Sequence, residues 1–147
     1  MRIDKTNSDV IRSQNVYLHD DMLVEIHFQR IARELVLPLQ KYGGEIYTIR
    51  FTHVLGFEMT SCNFWGPSRR IFDFELLEGE EQKLLPRLWK MREEKKPVGT
   101  TTPEDGLGEK ENYIETVITF VSGDQLQVVC EAIDIGDPYS EEKLDDD

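Results

Sequence analysis

The chain has 147 residues, a length that suits one domain with its own core and needs no disulfide or metal staple. Its residues are 39% hydrophobic and 31% charged, ordinary for a globular protein and too apolar for a wholly disordered one. Seventeen basic residues against 29 acidic ones leave a formal charge of −12, a field that repels nucleic-acid backbones and anionic membranes and favours encounter with a basic partner.

The first fifteen residues are polar and carry no apolar run of signal-peptide length, and nowhere is there a stretch long enough to cross a bilayer. The cytoplasm is therefore the expected compartment. The first predicted strand is 22–28, with Met22, Val24, Ile26 and Phe28 on one face and Glu25 and His27 on the other. Gln29 to Arg33 turns the chain, and 34–40 alternates again with Leu35, Leu37 and Leu39 aligned. Pro38 cannot donate to a ladder, so it implies an edge or a solvent-facing position.

After the Gly43-Gly44 turn, 45–55 reads as a long strand with Tyr47, Ile49, Phe51, His53 and Leu55 on one face. Gly56 suggests a bulge before the strand continues to Ser61. Residues 63–70 form a loop, and 71–76 returns as a strand with Phe72, Phe74 and Leu76 together. Leu84, Leu88 and Met91 recur at helical spacing, predicting one helix near 80–94, with Pro86 in its first turn. A polar loop, 95–111, leads to a closing hairpin of 112–121 and 126–135. The hairpin is joined by Ser122-Gly123-Asp124-Gln125, read as a tight primed turn. Both of its strands are apolar on two faces, which places them centrally and under the helix, with Phe120 and Val128 in the core.

The expected architecture is mainly β, a β-rich α+β fold: an antiparallel sheet of about six to seven strands, arranged as a sandwich or half-barrel, with one helix. Residues 1–136 form its single domain. Residues 137–147 form a disordered acidic tail, whose six acids and one lysine supply −5 of the net charge. Cys62 and Cys130 lie far apart and read as free thiols, a disulfide or a two-cysteine metal site being the alternatives.

Few residues stand out chemically. His19, Asp20 and Asp21 precede the first predicted strand, and with His53 they could offer metal ligands or an acid–base pair if the chain brought them together. The same residues also read as a loop whose carboxylates bond nearby amides, with His53 at the rim of the core. Arg69 and Arg70 form a basic spot able to pair with an anion, or a solvated loop. Phe64 and Trp65 beside them could cap the sheet or fill a partner's pocket. The chain has no glycine-rich phosphate loop, no nucleophile elbow and no Cys-x-x-Cys pair, so no cofactor is expected.

Leu18-His19-Asp20 leading into 22–28, with the segment from Ile118 to Asp124 and then Val128-Val129-Cys130-Glu131, resembles a loose group of small bacterial β-rich proteins, many of them uncharacterised. Some of that group look like immunity proteins encoded beside polymorphic toxins. The resemblance implies a toxin-binding inhibitor and carries over no catalytic residue. The leading expectation is a non-enzymatic intracellular protein-binding domain that uses Phe64, Trp65, Arg69 and Arg70 and takes a protein partner, basic if charge decides. The alternative is a small metal-dependent enzyme or ligand-binding β-domain using His19, Asp20, Asp21 and His53.

Overall fold

The computed structural model describes residues 1–13, 16, 18–41, 43–60, 70–94 and 108–136. It is mainly β and antiparallel, as expected. Its strands fall into two sheets, one of six strands and one of four. The first sheet contains β1 (Arg2–Asp4), β2 (Met22–Leu23), β3 (His27–Gln29), β4 (Glu34–Gln40), β5 (Ile46–Thr52) and β10 (Ala132–Ile135). The second contains β6 (Gly56–Met59), β7 (Ile71–Leu77), β8 (Ile114–Phe120) and β9 (Gln125–Cys130), in the order β6-β9-β8-β7. Strand β1 precedes the strand expected to come first. It pairs with β10 from the far end of the chain, aligning Ile3 with Ile133, so no local pattern announces it.

Inward side chains are in register across the first sheet. Leu35, Leu37 and Leu39 of β4 lie opposite Phe51, Ile49 and Tyr47 of β5, and Phe51 also faces Ile133 of β10. All are buried, each aliphatic or aromatic side chain stabilising the fold by roughly 1.5–3 kcal/mol. Against them pack Ile114, Ile118, Phe120, Leu126 and Val128 of the second sheet. Burial at Phe120 (3% exposed) and Val128 (0%) confirms their place in the core.

The second sheet is covered on its other face by α2 (Leu84–Glu94), whose Leu84 and Leu85 pack with Tyr113 and Val129. Glu115, fully buried on β8, docks this helix. Its carboxylate accepts the amides of Leu85 (2.8 Å), Leu84 (3.2 Å) and Lys83 (3.3 Å). Pro86 follows, with no N–H to satisfy, so the proline and the distant carboxylate together leave no unpaired donor in positions 83–86. Gly56 lets the helix approach: a Cβ there would meet Leu88 Cδ1 at 2.6 Å. That glycine serves close packing, and the bulge expected beside it falls just before it, at 53–55.

Among the described residues, three one-residue bulges break the strict alternation assumed above, and each moves side chains to the other face. Between the pairs Leu23–Leu39 and His27–Val36, three residues oppose two. The break falls beside Pro38, which offers its carbonyl to Val24 (2.9 Å) but no N–H. Leu23 is therefore buried, while Met22 and Val24 are exposed, reversing the predicted face. Between Thr52–Ala132 and Gly56–Val129, three residues again oppose two. His53 there has φ 51° and points to solvent, and the chain turns a corner from one sheet into the other. The expected long strand 45–61 is thus split into β5 and β6, and 126–135 is split into β9 and β10. The third bulge, at Phe72, lies between the pairs Ile71–Phe120 and Asp73–Thr119, so Ile71 is buried and Phe72 is 57% exposed.

The closing hairpin also differs in its turn. Val121 to Asp124 connects the strands, Gly123 donates to the Phe120 carbonyl (2.8 Å), and among residues 121–124 only Gly123 has positive φ, at 92°. One positive-φ glycine at the third position of a four-residue loop replaces the two-residue primed turn. Among the described residues no helix is long and apolar enough to cross a membrane.

Candidate functional site

The segment 18–21 seals one end of the sandwich. A bridge between Met22 and Arg70 joins the two sheets there. Asp20 donates its amide to the Ile71 carbonyl, and Ile71 donates back to the Asp21 carbonyl, both at 2.8 Å. His19 Nδ1 lies 2.8 Å from the Phe72 carbonyl. A carbonyl only accepts, so Nδ1 is the donor there, and Nε2 lies 3.6 Å from the Asp20 carboxylate. The imidazole edge packs on the Phe72 ring, with centroids 5.9 Å apart. These bonds occupy backbone groups on the outer edge of β7, which would otherwise be open to pairing with another chain. Further along that edge, Arg12 of α1 (Asp9–Arg12) bonds the Leu76 carbonyl and is held between Glu78 and Glu81.

Asp21 completes the seal from inside. Its side chain is buried, accepts the Tyr47 hydroxyl at 2.5 Å, and has Lys41 Nζ at 3.6 Å. Burial, reinforced by the neighbouring carboxylate, pushes the Tyr47 phenol well above its ordinary range.

His53 stands elsewhere. His19, Asp20 and Asp21 adjoin β2, which pairs with the Gln40 end of β4 and so lies at the Ile46 end of β5. His53 follows the other end of β5. A seven-residue strand separates them, about 23 Å along its axis. His53 instead lies 3.7 Å from Glu131. The structure brings His19, Asp20 and Asp21 together and leaves His53 apart. Among the described residues no group of three or more His, Cys, Asp or Glu could hold a metal ion. Phe64, Trp65 and Arg69, together with Cys62, most of the loop 95–111 and the tail 137–147, lie outside the described residues. Arg70 is exposed, with Nε 4.0 Å from Asp20, and belongs to the sealed end. Cys130 is a free thiol in the core, its ionisation pushed far up by burial.

The opposite end is open. There β3 and β6, edge strands of the two sheets, meet through an edge-to-face contact of Phe28 and Phe57 at 5.0 Å. Beside it lies a groove of about 530 Å³ between the turn after β3, the corner at 54–55 and one side of α2. Phe28, Val54, Leu55, Leu88 and Met91 give it an apolar floor. Arg30, Arg33 and Arg92 line it as well, and among the described residues no carboxylate does. Arg92 lies over the Trp89 ring, 4.6 Å from its centroid. Arg33 has φ 54°, and its carbonyl accepts the Val54 amide at 2.8 Å, fixing the turn against the corner. Ile31, between these arginines in sequence, is fully exposed, and Phe28 and Met91 are partly so. A concave apolar surface with a few convergent polar groups is the usual form of a binding site.

No protein-family model matches the chain, and no curated protein does. Among solved structures it is similar to the crystal structure of an uncharacterized protein from Neisseria gonorrhoeae. The likeness has 15% identity over 93% of this chain and 98% of that one, with a TM-score of 0.50. It concerns the fold.

The groove is not legible in the sequence. Its parts lie on β3, a turn, a corner and a helix, and 29–33 registers only as a polar break. One signal is present: Ile31, an apolar residue set among turn arginines, has no core to join.

Proposed function

We propose that the chain is a non-enzymatic protein-binding domain whose contact surface is the open end of the sandwich. The observation that carries this reading is the arginine-lined apolar groove beside Phe28, with Ile31 and Met91 exposed next to it. Exposed apolar surface rimmed by polar groups marks interaction sites, and aromatic, methionine and arginine side chains are the types enriched at such sites. An immunity-type inhibitor is the specific form suggested by the sequence resemblance, and the net charge of −12 would act on the partner's approach.

The test is capture of partners by immobilised full-length protein, comparing wild type with Met91→Glu. Met91 is exposed on that side of α2, so the variant keeps its fold by circular dichroism. Loss of a stoichiometric partner supports the reading. Undiminished capture by the variant places the contact elsewhere.

A further inference from the structure

The outer strand of a sheet turns alternate N–H and C=O groups away from its neighbour, where another chain can pair with them. On β1 the Asn7 side chain takes up both: its Oδ1 accepts the Asp4 amide (2.7 Å) and its Nδ2 donates to the Arg2 carbonyl (2.9 Å). On β7 the segment 18–21 and Arg12 do the same. Strand β6, at the open end, is the exception. Thr60 donates to the Gln125 carbonyl (3.0 Å), in register with the β6–β9 ladder. Gly56 and Glu58 therefore direct their backbone groups at β9, and Phe57 and Met59 direct theirs outward. Among the described residues, nothing bonds the backbone N–H or C=O of Phe57 or Met59.

We propose that β6 accepts a further strand, an extended segment of a partner protein that is apolar at alternate positions. Its backbone pairs with Phe57 and Met59, and its apolar side chains lie beside those of Phe28, Phe57 and Met59. This rests on the reading of the open end as the contact surface and specifies how the partner is held.

The side chains agree with the backbone. Phe57 and Met59 share one face of β6, where Phe57 touches Phe28 edge to face and both Met59 and Phe28 are exposed. On the other face Glu58 is already paired with Arg87 of α2. In strand addition, main-chain bonds supply affinity and contacts at alternate side chains supply register. A second copy of this chain is the poorer occupant. Antiparallel pairing of two β6 strands through all of these outward groups sets Phe57 against the copy's Met59 and Glu58 against its own counterpart. Like charges directly opposite are destabilising, and each chain carries −12.

Four fluorescein-labelled twelve-residue peptides are titrated against the full-length protein and followed by anisotropy. One alternates valine with lysine, one scrambles that composition, and two are forms of the first N-methylated at either the valines or the lysines. All carry the same charge, so differences among them report pattern and pairing. The alternating peptide is expected to bind at least tenfold more tightly than the scrambled one. An extended peptide turns alternate amides to each edge, so at least one N-methyl form should lose that advantage. Bound peptide should also slow hydrogen exchange at the Phe57 and Met59 amides, read by NMR. Met59→Pro removes an outward N–H and none from the ladder, and should abolish binding of the alternating peptide. If that variant unfolds, the exchange rates and the N-methyl forms still decide. Absence of binding by any peptide, or no preference for the alternating one, overturns the proposal. Binding that survives both N-methylations but is lost in Met91→Glu overturns strand addition while leaving the groove as the contact surface. Concentration-dependent self-association lost in Met59→Pro assigns the edge to a second copy and overturns a separate partner.

Discussion

The two ends of the sandwich close by different means. At one, Leu18 to Asp21 lies along β7, the Met22–Arg70 bridge joins the sheets, and the buried Asp21 holds Tyr47 from within. At the other, β3 and β6 touch through two rings and leave a groove floored by apolar groups. The residues that resemble chemistry in the sequence, a histidine beside two aspartates, are spent on sealing an edge. The residues that make a site attract no notice because a turn, a corner and a helix supply them separately. Polar groups at the first end have their hydrogen bonds taken up by a strand edge, whereas the second end leaves a concave apolar floor beside arginines.

Substitutions can sharpen this contrast. The largest effect belongs to neither end but to the layer between them. Phe120→Ala should lower stability by about 3–5 kcal/mol in urea unfolding, and a near-neutral result would remove Phe120 from the core. Glu115→Ala comes next, at about 2–3 kcal/mol, because it leaves buried amides at the start of α2 without an acceptor. At the sealed end, Asp21→Ala should cost about 1–3 kcal/mol by stranding the Tyr47 hydroxyl in the core. A harmless Asp21→Ala would show that this end is not held by its polar groups.

Tyr47 adds a pH signature to the sealed end. Its ionisation is shifted upward in the folded state, so the stability it contributes is whole below the unfolded value near 10 and is lost as pH rises beyond it. Wild-type stability should therefore fall more steeply above pH 10 than that of Tyr47→Phe, by up to about 1.4 kcal/mol per pH unit. Parallel curves would mean the phenol ionises freely. The smallest effects belong to the open end, where Ile31→Asp and Met91→Glu should each change stability by less than about 0.5 kcal/mol. A large loss there would make the groove part of the core.

Legibility in the sequence follows the bulges. Strand β4 and the β8–β9 hairpin keep an unbroken period of two, so alternation alone puts Leu35, Leu37, Leu39, Phe120 and Val128 on the correct face. Helix α2 is visible in the spacing of Leu84, Leu88 and Met91, though its docking on Glu115 of β8, thirty residues away, is not. Where one residue is added, at 24–26, 53–55 and 72, the alternation before and after the break belongs to opposite faces. A single-phase reading then misassigns Met22, Val24, His53 and Phe72. Pro38 is a partial signal for the first bulge, because a missing N–H must interrupt a ladder somewhere. Strand β1 and the groove cannot be read locally, because each depends on segments far apart in the chain.

The two ends can be compared directly by photo-cross-linking in the host cell from two exposed apolar positions, one at each end of the sandwich. A photoreactive phenylalanine analogue is placed at Ile31 in one protein and at Phe72 in another. If the open end is the contact surface, Ile31 gives a discrete adduct with a partner protein and Phe72 gives none. An adduct from Phe72 alone, or the same adduct from both positions, would contradict the assignment of binding to the open end.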